Sequence, residues 1–354
     1  MTTLTEKDLE NMKNHKYQTT GYTTIDNKMN PFWTKCASFL PKKISPNMVT
    51  LTGLFFQLLG IIIIGLNDLT LSKKLPSFIY IFCSFMLFLA QTFDAIDGKH
   101  ARNTNRASPL GQLMDHGCDA NDNFLFCLMI SQSHLLGNSI YTQIMEIGIQ
   151  IAFYGFTLEE HFSGVLRTQS NDIGVTEYQF FSMFLVILPT FVGQFFSSIY
   201  IFGMKLNYIL LIIVLIAAVG QTLDLIRVNY KGLKDTFDKW NHLIELSVFC
   251  VAEIFSTRMS FYQSKPFLII LCNGLHFSLM ASKLIIYNMA KRKFSNFDID
   301  ICVYVITIFI TVFIGSSILE YFAVIFLFGW FGYKYYLHVI MAIFRMMDYL
   351  KIPF

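Results

Sequence analysis

The feature that most constrains this chain is a charged stretch, residues 94–119, enclosed between two long apolar runs. It contains two close pairs of aspartates, Asp94 with Asp97 and Asp115 with Asp119. Spacings of three and four residues place each pair on one face of a helix. Carboxylates beside hydrocarbon are costly unless a partner compensates their charge, so the pairs predict a functional site.

Small and basic side chains lie between the two aspartate pairs. Three small residues permit the close approach of a backbone or a ligand: Gly98, Ala101 and Gly111. Three basic residues supply positive charge: Lys99, Arg102 and Arg106. This combination suits a divalent cation that in turn holds a phosphate. Zinc is less favoured, because oxygen ligands outnumber the nearby His100, His116 and Cys118.

The composition places these aspartates in a membrane protein. Hydrophobic residues make up 54% of the 354 and charged residues only 14%. The apolar runs are continuous and long enough to cross a bilayer as helices. We predict an all-α polytopic membrane protein with about ten transmembrane helices, in runs near 46–66, 77–93, 123–137, 140–160, 178–203, 207–226, 243–257, 266–289, 299–316 and 320–345. A net charge of +3 gives no reason to expect nucleic-acid binding.

Residues 1–45 precede the first predicted span and form an N-terminal segment, and residues 46–354 form the transmembrane domain. Lysines alternate with Phe32, Trp33 and Phe39, which predicts a helix lying in the membrane interface. For residues 1–15 a solvated tail is expected. Lysine and arginine crowd this segment, the 94–119 stretch, residues 227–241 and residues 291–293. The positive-inside rule therefore predicts that the aspartates face the cytosol.

The aspartate stretch reads D-x2-D-G-x2-A-R-x8-G-x3-D-x3-D and resembles the signature of the CDP-alcohol phosphatidyltransferases. The tracts QTFDAIDGKHAR and SPLGQLMDHGCDA are similar to those of the eukaryotic choline and ethanolamine phosphotransferases. So are PFWTKCASFLPKKISPNMVTLTG before them and GVLRTQSNDIGVTEYQ after them, so that the resemblance covers about residues 30–180.

The resemblance implies a reaction in which CDP-choline or CDP-ethanolamine and diacylglycerol give the phospholipid and CMP. It implies Mg2+ or Mn2+ at Asp94, Asp97 and Asp115, with Asp119 as a further metal ligand or as the base. It also implies an enzyme of the endoplasmic reticulum or Golgi membrane that forms a homodimer.

Further roles follow from the same resemblance. Gly98, Ala101 and Gly111 would admit the nucleotide. Lys99 and Arg102 would neighbour its phosphates, and Asn47, beside Pro46 at the start of the first span, would lie on the nucleotide side.

The identity of the base stays open at this point. Asp119 is the simplest candidate, but a metal-bound carboxylate is a poor base. Glu159 then becomes a candidate, although Thr157 stands where the eukaryotic branch often has a histidine. His116 or His161 could take that histidine's place.

Three other functions compete with this interpretation. A CDP-diacylglycerol-dependent transferase with inositol or glycerophosphate as acceptor would share the motif, but the DHGCD tract and the chain length favour the first interpretation. An ion-coupled transporter would carry its charges at membrane depth rather than at one edge. An inactive homologue is disfavoured by the intact motif.

Overall fold

A computed structural model describes residues 4–16, 18–20, 22–167, 169–170, 173–193, 198–209, 211–212, 216, 220, 237–292 and 298–352 of the chain. The elements of its first part are α1 (Glu6–Lys13), β1 (Thr19–Thr20), α2 (Thr24–Phe39), α3 (Pro46–Asn67), α4 (Ser77–Asn103), α5 (Pro109–Ser133) and α6 (Ile140–Ser163). Then come β2 (Leu166–Arg167), β3 (Gln169–Ser170), β4 (Ile173–Gly174), α7 (Val175–Val192), β5 (Tyr200–Ile201) and β6 (Met204–Lys205). The last part contains α8 (Phe237–Ser256), α9 (Ser260–Ser264), α10 (Pro266–Ala290), α11 (Ile299–Ile314), α12 (Ser317–Tyr335), one π-helical turn (Tyr336–Ile340) and α13 (Met341–Leu350).

The prediction of an all-α polytopic membrane protein is confirmed. Five segments among the described helices are long and apolar enough to cross a bilayer: Pro46–Asn67, Ser77–Asn103, Val175–Val192, Pro266–Ala290 and Ser317–Leu350. The six strands are two-residue pairings, of which β1 with β2 is parallel and the other two are antiparallel. The total of ten spans stays a prediction, because most of residues 207–226 lie outside the described residues.

Two of the predicted boundaries are wrong. The apolar run 178–203 does not form one helix, because α7 ends at Val192 before Gly193, whose φ is +65°, and a short hairpin, β5–β6, follows. The run predicted near 77–93 also ends too early. α4 continues to Asn103 and α5 begins at Pro109, so only residues 104–108 connect them.

Local sequence explains where the helices of the motif begin. The Ser108 side chain accepts a hydrogen bond from the Gly111 amide, and Pro109 occupies the first helical position of α5. Ser45 and Pro46 begin α3 in the same way. A serine cap satisfies an amide that the helix leaves free, and proline suits the first turn because it has no amide hydrogen. These two starts set the register of Asn47 and Asp115.

Residues 4–13 are not the solvated tail expected from the sequence. They contribute α1, whose capping box is formed by Thr5 and Asp8. Leu9 and Met12 are buried in one apolar cluster with Leu110 of α5. The physical reason is tertiary: the apolar face of α1 packs on helices far away in the sequence, where a short isolated helix would be unstable.

Helix α10 occupies the centre of the bundle, and 89% of an apolar 18-residue stretch within it is buried. It packs against α5, α6 and α12. It approaches α5 closely at Gly274, where an added Cβ would meet Phe124 Cγ at 2.1 Å and Phe124 Cβ at 2.3 Å. Small residues at helix crossings allow this closeness, so Gly274 sets the distance between α5 and α10.

We therefore expect Gly274→Ala to destabilise the fold by about 1–3 kcal/mol, because the new methyl group forces α5 and α10 apart. The measurement is the apparent Tm of detergent-purified protein. The matched control is Gly329→Ala on α12, where an added Cβ meets nothing within 4 Å. Equal Tm values for the two variants would contradict this account of the crossing.

Candidate active site

Three aspartates meet where α4 ends and α5 begins. One ligand atom each from Asp94, Asp97 and Asp115 lies within 4.8 Å of the other two. Asp97 is buried, while Asp94 and Asp115 are half-buried. The helical spacing within α4 and the serine-capped start of α5 produce this grouping, which we call the acidic centre. The two pairs predicted from the sequence therefore contribute to one place.

A hydroxyl of α3 fixes one of these carboxylates. Thr50 Oγ1 donates a hydrogen bond of 2.5 Å to Asp97 Oδ2. Thr50 is itself buried and lies one helical turn after Asn47 on the same helix. A hydroxyl behind a ligand orients it toward the metal. The sequence analysis missed Thr50, and its three-residue spacing from Asn47 was the available signal.

The acidic centre suits a hard divalent cation. Mg2+ prefers oxygen ligands, and three carboxylate oxygens this close to one another can converge on one ion with small side-chain adjustments. The groups that could have suggested zinc, on His100, His116 and Cys118, do not join these carboxylates in the described part of the chain, and His100 Nε2 lies 2.9 Å from the Ile44 carbonyl oxygen instead. The three carboxylates therefore fit the predicted Mg2+ or Mn2+ better than zinc.

Two cavities of about 340 Å³ each open on either side of the acidic centre. Cavity A extends between α2, α4, α5, α6 and α7, and its wall includes Phe126, Phe153, Phe156 and Tyr178. Cavity B lies between α3, α4 and α5, and its wall includes Asn47, Arg106, Ser108 and Gln112. The two cavities share Asp97, Gly98, Arg102 and Asp115. The acidic centre thus lies in the wall of both cavities, and among the described residues only cavity A also carries phenylalanine, tyrosine and tryptophan rings.

The predicted substrate-binding residues divide between these cavities. Asn47, Ala101 and Gly111 line cavity B, and a Cβ at Gly111 would lie 3.8 Å from Asn47 Oδ1. Gly98 and Arg102 line both cavities. Lys99 lines only cavity A among the described residues and donates a hydrogen bond to Asn30 Oδ1 of α2. Its ammonium therefore joins α4 to α2.

Two of the three predicted catalytic residues line cavity A. Asp119 lines cavity A but lies outside the group of three carboxylates. His116 lines cavity A, with Nε2 4.0 Å from Asp115 Oδ2 and Nδ1 3.8 Å from Glu160 Oε2. Glu160 also lines cavity A and accepts a hydrogen bond of 3.0 Å from Gln112 Nε2. Its buried neighbour Glu159 lines neither cavity among the described residues.

Fold and site together define a class: a polytopic membrane protein with an acidic, two-cavity site suited to a phosphate-bearing substrate. The sequence profile of the CDP-alcohol phosphatidyltransferase family matches residues 43–220, about half of the chain. The chain therefore belongs to the CDP-alcohol phosphatidyltransferase family, which supports its assignment as a transferase of phospholipid biosynthesis.

Individual relatives agree with this assignment. "Uncharacterized CDP-alcohol phosphatidyltransferase class-I family protein 2" of Dictyostelium discoideum is 29% identical over 289 residues, 80% of this chain and 69% of that protein. "Cholinephosphotransferase 1" of Rattus norvegicus is 33% identical over 191 residues, 54% of this chain and 48% of that protein. The Homo sapiens protein of the same name is 31% identical over 192 residues, 54% and 47% of the two chains. The matches thus span about half the length of these cholinephosphotransferases.

Replacing Thr50 by valine should weaken metal binding about tenfold, because Asp97 loses the hydroxyl that orients it. The measurement is the Mn2+ dissociation constant in detergent, from the electron paramagnetic resonance signal of the free ion. Thr52→Val on the same helix is the matched control, since Thr52 Oγ1 donates only to the Met48 carbonyl, at 2.6 Å. Unchanged Mn2+ affinity in Thr50→Val would show that the Thr50 hydroxyl has no part in metal binding.

Proposed function

We propose that this protein transfers phosphocholine or phosphoethanolamine from the CDP-alcohol to diacylglycerol, releasing CMP. The observation that carries the proposal is the acidic centre in the wall of two cavities, of which only cavity A carries phenylalanine, tyrosine and tryptophan rings among the described residues. A lipid acceptor suits those rings, and a charged nucleotide donor suits Arg102 and Arg106 in the wall of cavity B. Both substrates can then reach Asp97 and Asp115, which line both cavities.

The nucleotide would enter cavity B with its diphosphate toward the acidic centre. Three carboxylates repel a diphosphate unless a metal ion inverts the local potential. A divalent cation held by Asp94, Asp97 and Asp115 would supply that charge and stabilise the CMP leaving group. Arg102 lines both cavities, so its guanidinium can contact phosphate oxygens on either side of the bond that breaks. The small surfaces of Gly98, Ala101 and Gly111 leave room for the nucleotide.

The acceptor hydroxyl would arrive through cavity A. Its oxygen forms a bond to the β-phosphorus of the donor, while the bond from that phosphorus to the bridging oxygen breaks and CMP leaves. The hydroxyl proton must pass to a base in cavity A. Asp119 lines this cavity outside the carboxylate group, so it can accept that proton without being a metal ligand. His116 and Glu160 would hold the acceptor hydroxyl in position.

The proposal also includes the membrane location, the head group and the partners of the protein. A site at the cytosolic side of the membrane agrees with the lysines and arginines that flank the motif. The endoplasmic reticulum or Golgi location rests on the family resemblance alone. The names of the cholinephosphotransferase relatives favour the choline head group over ethanolamine. The homodimer and the exclusion of nucleic-acid partners stay predictions of the sequence analysis.

A donor assay tests the proposed reaction. Purified protein in mixed micelles receives diacylglycerol, Mg2+ and radiolabelled CDP-choline or CDP-ethanolamine in parallel tubes. We expect labelled phospholipid in at least one tube, lost on adding chelator and lost in Asp115→Asn. Product from CDP-diacylglycerol with inositol or glycerophosphate instead would overturn the proposal and reverse which substrate carries the lipid.

Three variants test the base. We expect Asp119→Asn to lower kcat by at least a hundredfold with Mn2+ affinity retained, because the lost group accepts a proton and binds no metal. Glu160→Gln should lower kcat less, and Glu159→Gln least, since Glu159 is outside the cavities. A larger kcat loss in Glu159→Gln than in Asp119→Asn would identify Glu159, and not Asp119, as the base.

A further inference from the structure

Helix α1 is attached to the C-terminal helices by several specific contacts. Arg292 forms a two-pronged pair with Asp8, in which Nε donates 2.8 Å to Oδ1 and Nη2 donates to Oδ2. Asn11 Nδ2 donates 2.8 Å to the Ala290 carbonyl, and Arg345 donates to the Leu4 carbonyl. These contacts hold both ends of α1 against α10 and α13.

The ion pair between Asp8 and Arg292 requires the Asp8 carboxyl group to be ionised. The Arg292 hydrogen bond lowers the pKa of Asp8 to about 2, against the opposing effect of its burial. Because the pKa is depressed, the pair keeps its stabilising contribution above about pH 4 and loses it only as the pH falls toward 2. The attachment of α1 is therefore intact at every pH at which an enzyme of this kind operates.

The chain leaving α1 is held again a few residues later. The Leu166 amide donates 2.9 Å to the Gln18 carbonyl, and β1 pairs in parallel with β2 beyond the end of α6. Thr19 of β1 lines cavity A. The chain is thus fixed at both ends of the connection between α1 and β1.

His15 lies in that connection and lines cavity B together with Arg102 and Arg106. Its side chain is half-buried, and its Nε2 is shielded from solvent without a hydrogen-bond partner among the described residues. Burial and the neighbouring charge of Lys291 lower the pKa of His15 below its ordinary value. A buried ring nitrogen without a partner normally costs free energy, so its retention in a cavity wall points to a ligand that satisfies it.

We propose that His15 is a binding residue for the donor nucleotide, with Nε2 in hydrogen-bond contact with an oxygen of the CMP portion. This inference rests on the proposed function only in that cavity B holds a cytidine nucleotide. A neutral imidazole can donate to a phosphate oxygen or exchange a hydrogen bond with a ribose hydroxyl. Both oxygens belong to the part of the donor that leaves as CMP.

The role of α1 follows from that of His15. The helix contributes no described residue to either cavity, yet its attachment fixes the position from which His15 reaches cavity B. α1 is therefore a positioning element, and weakening its attachment should affect nucleotide binding in the same direction as removing the imidazole.

The test is CMP binding to the detergent-purified full chain with Mg2+, measured by titration calorimetry. His15→Ala should raise the CMP dissociation constant about fivefold to tenfold, the usual effect of one lost hydrogen bond. His15→Gln, which keeps a donor and an acceptor, should recover part of the loss. The matched control is Asn14→Ala, because the exposed Asn14 side chain donates, among the described residues, only to Glu10 of α1, at 3.3 Å.

Two further measurements separate binding from folding. Mn2+ affinity and Tm should be unchanged in His15→Ala, because the carboxylates and the bundle are untouched.

Asp8→Asn should also weaken CMP binding, and the double variant should be no weaker than His15→Ala, since both changes act through one imidazole. Repeating the titration with cytidine distinguishes the ligand oxygen: a loss confined to CMP identifies the phosphate, and an equal loss with cytidine identifies the ribose.

The negative outcomes are distinct. CMP affinity within twofold of wild type in His15→Ala, or an equal loss in Asn14→Ala, would overturn the role of His15 and leave the proposed reaction standing. A wild-type protein that binds Mn2+ but not CMP would overturn the proposed function and this inference with it.

Discussion

The mutual repulsion of three carboxylates within 4.8 Å is the constraint around which the rest of the site is arranged. Like charges so close, at the end of an apolar bundle, persist only if a cation compensates them or if protons neutralise some of them. The Thr50 hydroxyl, the Arg102 guanidinium and two cavities all converge on this point. The long helices α4 and α5 provide the rigid supports on which the carboxylates can be held so near one another.

The sequence predicted the membrane fold and the two aspartate pairs because both depend on local periodicity. A spacing of three or four residues places two side chains on one helix face whatever surrounds the helix. The choice between Glu159 and Glu160 was not accessible in this way. Neighbouring residues differ by about 100° around a helix, and only the rotation of α6 within the bundle decides which one reaches cavity A.

Contacts between residues that are far apart in the sequence explain the other differences between the predictions and the structure. Lys99 donates a hydrogen bond to Asn30 of α2, a contact that its place in the motif does not predict. α1 looked like a solvated tail because eight residues with few apolar side chains have little helical stability of their own. Its partners Arg292 and Arg345 are far away in the sequence. Contacts between distant segments carry no periodicity, so reading the chain along its length does not reveal them.

The attachment of α1 has a consequence for how the molecule is assembled. Its contacts join residues separated by 279 to 341 positions. Pairings of such range form late, after the intervening helices have inserted and packed. The edge of cavity B is therefore completed only when the distal helices are in place. A partly synthesised chain would present its aspartates in a site that still lacks this wall, which couples the maturation of the active site to the completion of the bundle.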